Sequence, residues 1–213
     1  MYNLSMRFRS DILLFLIPYL AVFAGLNILK NAWVTILLYH LMILVYLTGS
    51  GHLKDFRKIF LGWDGKLFLI SSAISIIAGP ALFMLWHSMK LDTANLFSTL
   101  AFFKLKGLSW TLFIPYFCLL HPILEEVFWR ITRFNMLSDR FYRNILFGGY
   151  HILVLVYFIR IEWILVSFVI LSLVSFMWDS ISLKTSGLIV PVLSHIIADS
   201  SIIILGIGAG HLS

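Results

Sequence analysis

Two adjacent glutamates, Glu125 and Glu126, lie between His121 and Arg130 in the stretch HPILEEVFWR, at the end of a long apolar run. Two further polar groups interrupt apolar segments downstream. FGGYH carries Phe147 and His151, and SHIIAD carries Ser194, His195 and Asp199. Carboxylates and imidazoles in apolar surroundings are the materials of amide hydrolysis, which needs an activated water, an oxyanion stabiliser and a proton for the leaving amine. Low dielectric disfavours a carboxylate's charge and makes it a better base. Glu125 is the candidate base. A Ser–His–Asp arrangement fits less well, because Ser194 and His195 are successive helix positions and do not face each other. Cys118, the single cysteine, lies about two turns from Glu125 and reads as an inert packing residue.

Helical spacing predicts which groups share a face. His195 and Asp199 are four apart, so Asp199 can orient that imidazole. Glu126 precedes Arg130 by four, the favoured order for an ion pair, or for a snorkelling pair at a membrane surface. Glu125 points about 100° away from Glu126, free to face a cavity. Phe147 is one turn from His151 and can pack on its ring, while Gly148 and Gly149 admit a close neighbour. His121 reads as packing, with a place one turn below Glu125 as the alternative. His40, His52, His87 and His211 read as interfacial residues at span ends or in loops.

The elements that position these groups are membrane spans. The chain has 213 residues, of which 61% are hydrophobic and 12% charged. Soluble domains carry roughly 25% charged residues, so this chain cannot coat itself for water and reads as a multi-pass membrane protein. The net charge of +6 fits basic loops facing the cytoplasm; no nucleic-acid motif is present and no nucleic-acid partner is expected. Apolar runs predict an all-α polytopic bundle of about seven transmembrane helices: Ile12–Leu29, Trp33–Thr48, Leu67–His87, Leu108–Ile131, Asn144–Ile159, Glu162–Trp178 and Gly187–Ile207. The basic start before the first is better explained by a retained anchor than by a cleaved signal peptide. Alternating the spans collects eleven Lys and Arg on one side (Arg7, Arg9, Lys54, Arg57, Lys58, Lys66, Arg130, Arg133, Arg140, Arg143, Lys184) and five on the other (Lys30, Lys90, Lys104, Lys106, Arg160). The positive-inside rule places the N-terminus and the opening of the site in the cytoplasm. Glu125, His151 and His195 each then fall eight residues from the cytoplasmic end of their span, roughly 12 Å deep.

The three pieces together resemble a known family. Glu125-Glu126-x-x-x-Arg130, Phe147-x-x-x-His151 and His195-x-x-x-Asp199 are similar to the motifs of the CPBP family, which groups CAAX prenyl endopeptidases with bacteriocin-processing and immunity (Abi) proteins. The resemblance covers about residues 108–207. It implies an intramembrane glutamate protease with a catalytic core at 108–213, in the last four spans, and variable N-terminal helices at 1–107. By the same resemblance Glu125 activates a water with help from His151, His195 and Asp199 stabilise the oxyanion, and Glu126 and Arg130 hold the geometry, with Phe147 supporting. The sequence departs from the pattern in carrying Ile131 where many members have Gly, and Asp199 where the prenyl-protein enzymes have Asn. An ionised Asp cannot donate a hydrogen bond, so Asp199 is either protonated or acts by orienting His195. No cofactor is expected. Zinc on Glu125, His151, His195 and Asp199 is the alternative, although no HExxH motif fixes two ligands on one helix. The expected substrate is a membrane-associated protein or peptide, and the expected location a bacterial inner membrane. Competing readings are a non-catalytic immunity or regulatory protein that binds a peptide, and a proton pathway through the same carboxylates.

Overall fold

A computed structural model describes residues 14–92, 95–131 and 137–211, and of residues 137–139 and 209–211 the backbone only. Arg7, Arg9 and Arg133, counted above toward the basic side, lie outside the described residues, as does the His211 side chain. The described chain is helical, with a single isolated antiparallel bridge between Lys90 and Ile159. We number the helices α1 Ile17–Ile28, α2 Ala32–Gly49, α3 Gly65–Met89, α4 Leu96–Phe102, α5 Leu108–Ile131, α6 Leu137–Tyr150, α7 Ile152–Leu155, α8 Ile161–Thr185 and α9 Ile189–His211. A 3-10 segment, His52–Phe60, links α2 to α3.

Short polar residues start several of these helices. The Asn31, Asp64 and Asn95 side chains accept hydrogen bonds from the backbone N–H of Val34, Leu67 and Ser98, so each satisfies an orphan donor of α2, α3 or α4. Pro80 cannot bond back to Ile76, and α3 breaks its helical run at Ile77. In α5, Pro115 and Pro122 both lack the backbone donor, and the helix widens to a π turn over Tyr116–Leu120 between them. That turn sets the face on which the following residues, His121 to Arg130, emerge.

Among the described residues five helices are long and apolar enough to cross a membrane: α2, α3, α5, α8 and Ile189–Gly208 of α9. Their outward residues are apolar, as at Leu69, Met84, Leu165 and Leu173, the inverse of a water-facing surface. The protein is therefore an integral membrane protein. The expected count of seven is not reached by helix length. The first expected span appears as the 12-residue α1, about 18 Å long at 1.5 Å per residue. The fifth is divided into α6 and the single turn α7, which is followed by a turn over residues 156–158 before Ile159 pairs with Lys90.

The alternation of spans is reflected in which ends meet. Arg160 N–H bonds to Met89 O and Leu91 N–H to Phe158 O at one end of the bundle. At the other, Leu188 N–H bonds to Lys58 O and Ile189 N–H to Leu61 O. Helix α9 packs along both halves of α3, α8 along α6, and α1 against α2. The last turns of α5 sit between α2 and α9.

Candidate active site

The last turns of α5 are closed off from every side: each residue from Glu125 to Ile131 is buried. Glu125 and Glu126 are both 0% exposed and Arg130 1%. This decides between the two readings of the Glu126–Arg130 pair, since a snorkelling pair would reach the surface. Arg130 Nε donates to Glu126 Oε2 at 2.9 Å, and its Nη1 donates to Asn144 Oδ1 at 2.9 Å and Ser175 Oγ at 3.0 Å. Ser175 in turn donates to Asn144 at 2.6 Å. Three helices, α5, α6 and α8, are thereby tied through one guanidinium, which also lies over the Phe147 ring at 5.5 Å.

The other oxygen of Glu126 receives His195 Nδ1 at 3.1 Å. Glu126 therefore links Arg130 to the imidazole of α9. Trp178 stacks on that imidazole with ring centroids 4.4 Å apart, and Phe147 meets it edge-on at 6.1 Å. Asp199 does lie on the same face, but its Oδ1 is 3.6 Å from His195 Nε2, beyond hydrogen-bond length. The carboxylate that orients the ring is Glu126.

Glu125 differs from its neighbour in how its two oxygens are used. Oε1 accepts from the hydroxyls of Tyr39 at 2.7 Å and Tyr150 at 2.5 Å. Tyr39 is itself fixed by Trp129 Nε1 at 3.1 Å. Among the described residues Oε2 has no hydrogen-bond partner, and it faces two imidazoles, His121 Nε2 at 3.4 Å and His195 Nε2 at 3.8 Å. Asp199 Oδ2 is likewise buried with no partner among the described residues. Buried polar atoms are nearly always paired, and exceptions tend to mark functional sites.

His151 donates from Nδ1 to the Phe147 carbonyl at 2.8 Å, the only role open to Nδ1 beside a carbonyl, so neutral His151 keeps its Nε2 lone pair free. Its ring packs on Phe147 at 5.1 Å, as the spacing predicts, and on Tyr150 at 4.0 Å. A methyl group on Gly148 would collide with the Phe168 carbonyl and the Ser172 side chain of α8, and one on Gly149 with the Tyr19 hydroxyl. The two glycines thus let α6 pack closely against α8 and α1.

All of the expected residues meet around Glu125 and Glu126, and several unexpected ones join them. His40 is not interfacial: it is 3% exposed and bonded to Tyr116 and His121. His121 is not mere packing but lies beside Glu125. Tyr39, Tyr150, Trp178, Asn144 and Ser175 complete the surroundings. A Tyr–His pair in the middle of the second apolar run was the available signal for Tyr39 and His40; nothing in the sequence singles out Ser175 among the serines of α8. Among the described residues no group of three His, Cys, Asp or Glu side chains is arranged to hold a metal ion.

Residues 107–201, a little under half of the chain, match the family described as "Type II CAAX prenyl endopeptidase Rce1-like". This segment belongs to the CAAX protease family. The match spans α5 to most of α9 and contains Glu125, His151, His195 and Asp199. No curated protein and no solved structure is significantly similar to the chain.

Proposed function

We propose that the protein is an intramembrane endopeptidase in which Glu125 activates water. The observation that carries this reading is the asymmetry of Glu125. One oxygen is anchored by two tyrosine hydroxyls, and the other is buried, unbonded and aimed at imidazoles. A purely structural carboxylate would be expected to have both oxygens satisfied.

The chemistry follows from the hydrogen bonds. Glu125 Oε2 takes a proton from water as the oxygen attacks the peptide carbonyl carbon. His151, its Nδ1–H held by Phe147 O, has a free Nε2 to orient that water. The carbonyl π electrons move onto oxygen. His195 gives its Nδ1–H to Glu126, and its Nε2 faces two carboxylates, an arrangement that favours a hydrogen there too. That Nε2–H is the donor for the oxyanion, and Asp199 lies beside it. The proton on Glu125 passes to the amide nitrogen as the C–N bond breaks, and Arg130 keeps Glu126 charged and in place throughout. Asp199 then needs no donor role of its own, and replacement of Asn by Asp at this position is tolerated.

The substrate class is a membrane-associated protein or peptide with its scissile bond within reach of the bilayer, either a CAAX-type tail, a leader or a sorting tail. The Lys and Arg distribution favours a cytoplasmic opening, and a bacterial inner membrane is the setting we assign. Cleavage of tail peptides, prenylated and unmodified, by purified protein in liposomes tests the proposal. Glu125→Gln should abolish cleavage and His195→Ala should reduce it ~100-fold or more. A chelator should leave the wild type active. Wild-type rates in both variants would exclude this site as the source of activity. A protein that protects cells equally well with Glu125→Gln would be a peptide-binding immunity protein instead.

A further inference from the structure

Tyr116, His40 and His121 form a hydrogen-bonded string whose last ring faces Glu125, and none of the three belongs to the residues assigned a step above. Tyr116 Oη is 2.8 Å from His40 Nδ1, His40 Nε2 is 3.1 Å from His121 Nδ1, and His121 Nε2 is 3.4 Å from Glu125 Oε2. The rings are held: the His40 ring lies 30° from the plane of His121, as an in-plane hydrogen bond between them requires, and the Phe117 ring lies 5.0 Å from His121 at 21°.

The chemistry of the donors sets one direction along the string. A phenol hydroxyl can donate or accept, so the direction is set at the Glu125 end, where His121 must present an N–H, and His40 Nδ1 then accepts from Tyr116. A neutral imidazole with a bare Nδ1 carries its hydrogen on Nε2, and His40 therefore donates to His121 Nδ1. His121 is then fixed in the same tautomer and turns its Nε2–H toward Glu125. The opposite assignment would set a lone pair of His121 against a buried carboxylate.

We infer that Tyr116 and His40 are positioning residues that act through His121 to hold Oε2 of Glu125 at its working angle, with the two tyrosines holding Oε1. The inference rests on Glu125 being the base. It gives helix α2, outside the segment matched to the family, a part in the reaction: its Tyr39 grips one oxygen of the base, and its adjacent His40 sets the tautomer of the residue that faces the other.

Two readouts test this. In protein labelled with 15N histidine, His40 and His121 are expected to show a protonated Nε2 and a bare Nδ1, assigned by loss of each signal in His40→Gln and His121→Gln. His40→Phe should release His121 into mixed tautomers. In the peptide assay His40→Phe should lower kcat ~10- to 100-fold with KM unchanged. His40→Gln, whose amide N–H can still reach His121, should restore most of it. Tyr116→Phe, the mildest change, should mix the His40 tautomers and lower kcat several-fold. A wild-type His121 with hydrogen on Nδ1, or His40→Phe turning over like the wild type, would overturn the inference. The 15N readout does not depend on activity. A protein that cleaves nothing would therefore refute the proposed function while the tautomers still decide whether the string exists.

Discussion

Replacing Arg130 by Met would test the central feature of this site, a buried charge network in place of a surface ion pair. Arg130 is 1% exposed and Glu126 0%, and the guanidinium makes hydrogen bonds to Glu126, Asn144 and Ser175. An exposed pair at this spacing would contribute at most about 1 kcal/mol. Removing one partner of a buried pair instead costs about 3–5 kcal/mol, because the remaining charge stays buried. After Arg130→Met, among the described residues only His195 Nδ1 still hydrogen-bonds the Glu126 carboxylate. For a chain of this size, 3–5 kcal/mol corresponds to a melting temperature lower by about 6–20 °C. The sharper expectation concerns the double variant. Neutralising Glu126 in the Arg130→Met background removes the orphaned charge, so Glu126→Gln should recover a large part of the loss there, although it destabilises the wild type. Thermal unfolding in detergent of the four proteins gives the cycle, with a coupling of about 2–3 kcal/mol expected. A loss of 1 kcal/mol or less in Arg130→Met, with no recovery in the double variant, would refute the buried-network reasoning and restore the snorkelling pair.

Other expectations follow from the same contacts. Gly148→Val should destabilise by about 3 kcal/mol or more, since its side chain would press on the Phe168 carbonyl and Ser172; Ser172→Ala should not rescue it, because the carbonyl remains. Gly149→Ala should be milder, costing about 1 kcal/mol through the Tyr19 bond to Leu146 O, and melting curves of the two variants compare them. Lys184→Cys should react with an impermeant maleimide only from the cytoplasmic side and Lys90→Cys only from the other, with Cys118 buried and silent; the reverse labelling would invert the orientation.

The sequence alone determined the membrane setting, the helical class and the three motif helices. Each depends on local information: apolar runs give spans, and four-residue spacing puts His195 and Asp199, or Glu126 and Arg130, on one face. Helix length was less legible. The expected fifth span is divided because hydropathy does not register the turn after Tyr150 or the pairing of Ile159 with Lys90.

Tertiary structure decided what each polar group is for. His40 reads as interfacial in sequence because it sits in an ordinary apolar run, and only the crossing of α2 against α5 brings it to His121. Spacing makes Asp199 the partner of His195 because the two are neighbours on one helix. Glu126, 69 positions away in the chain, is the residue that bonds that ring. Spacing within a helix fixes which side chains share a face; which oxygen or nitrogen meets which across helices depends on the rotation and approach of whole spans, and no local pattern encodes that.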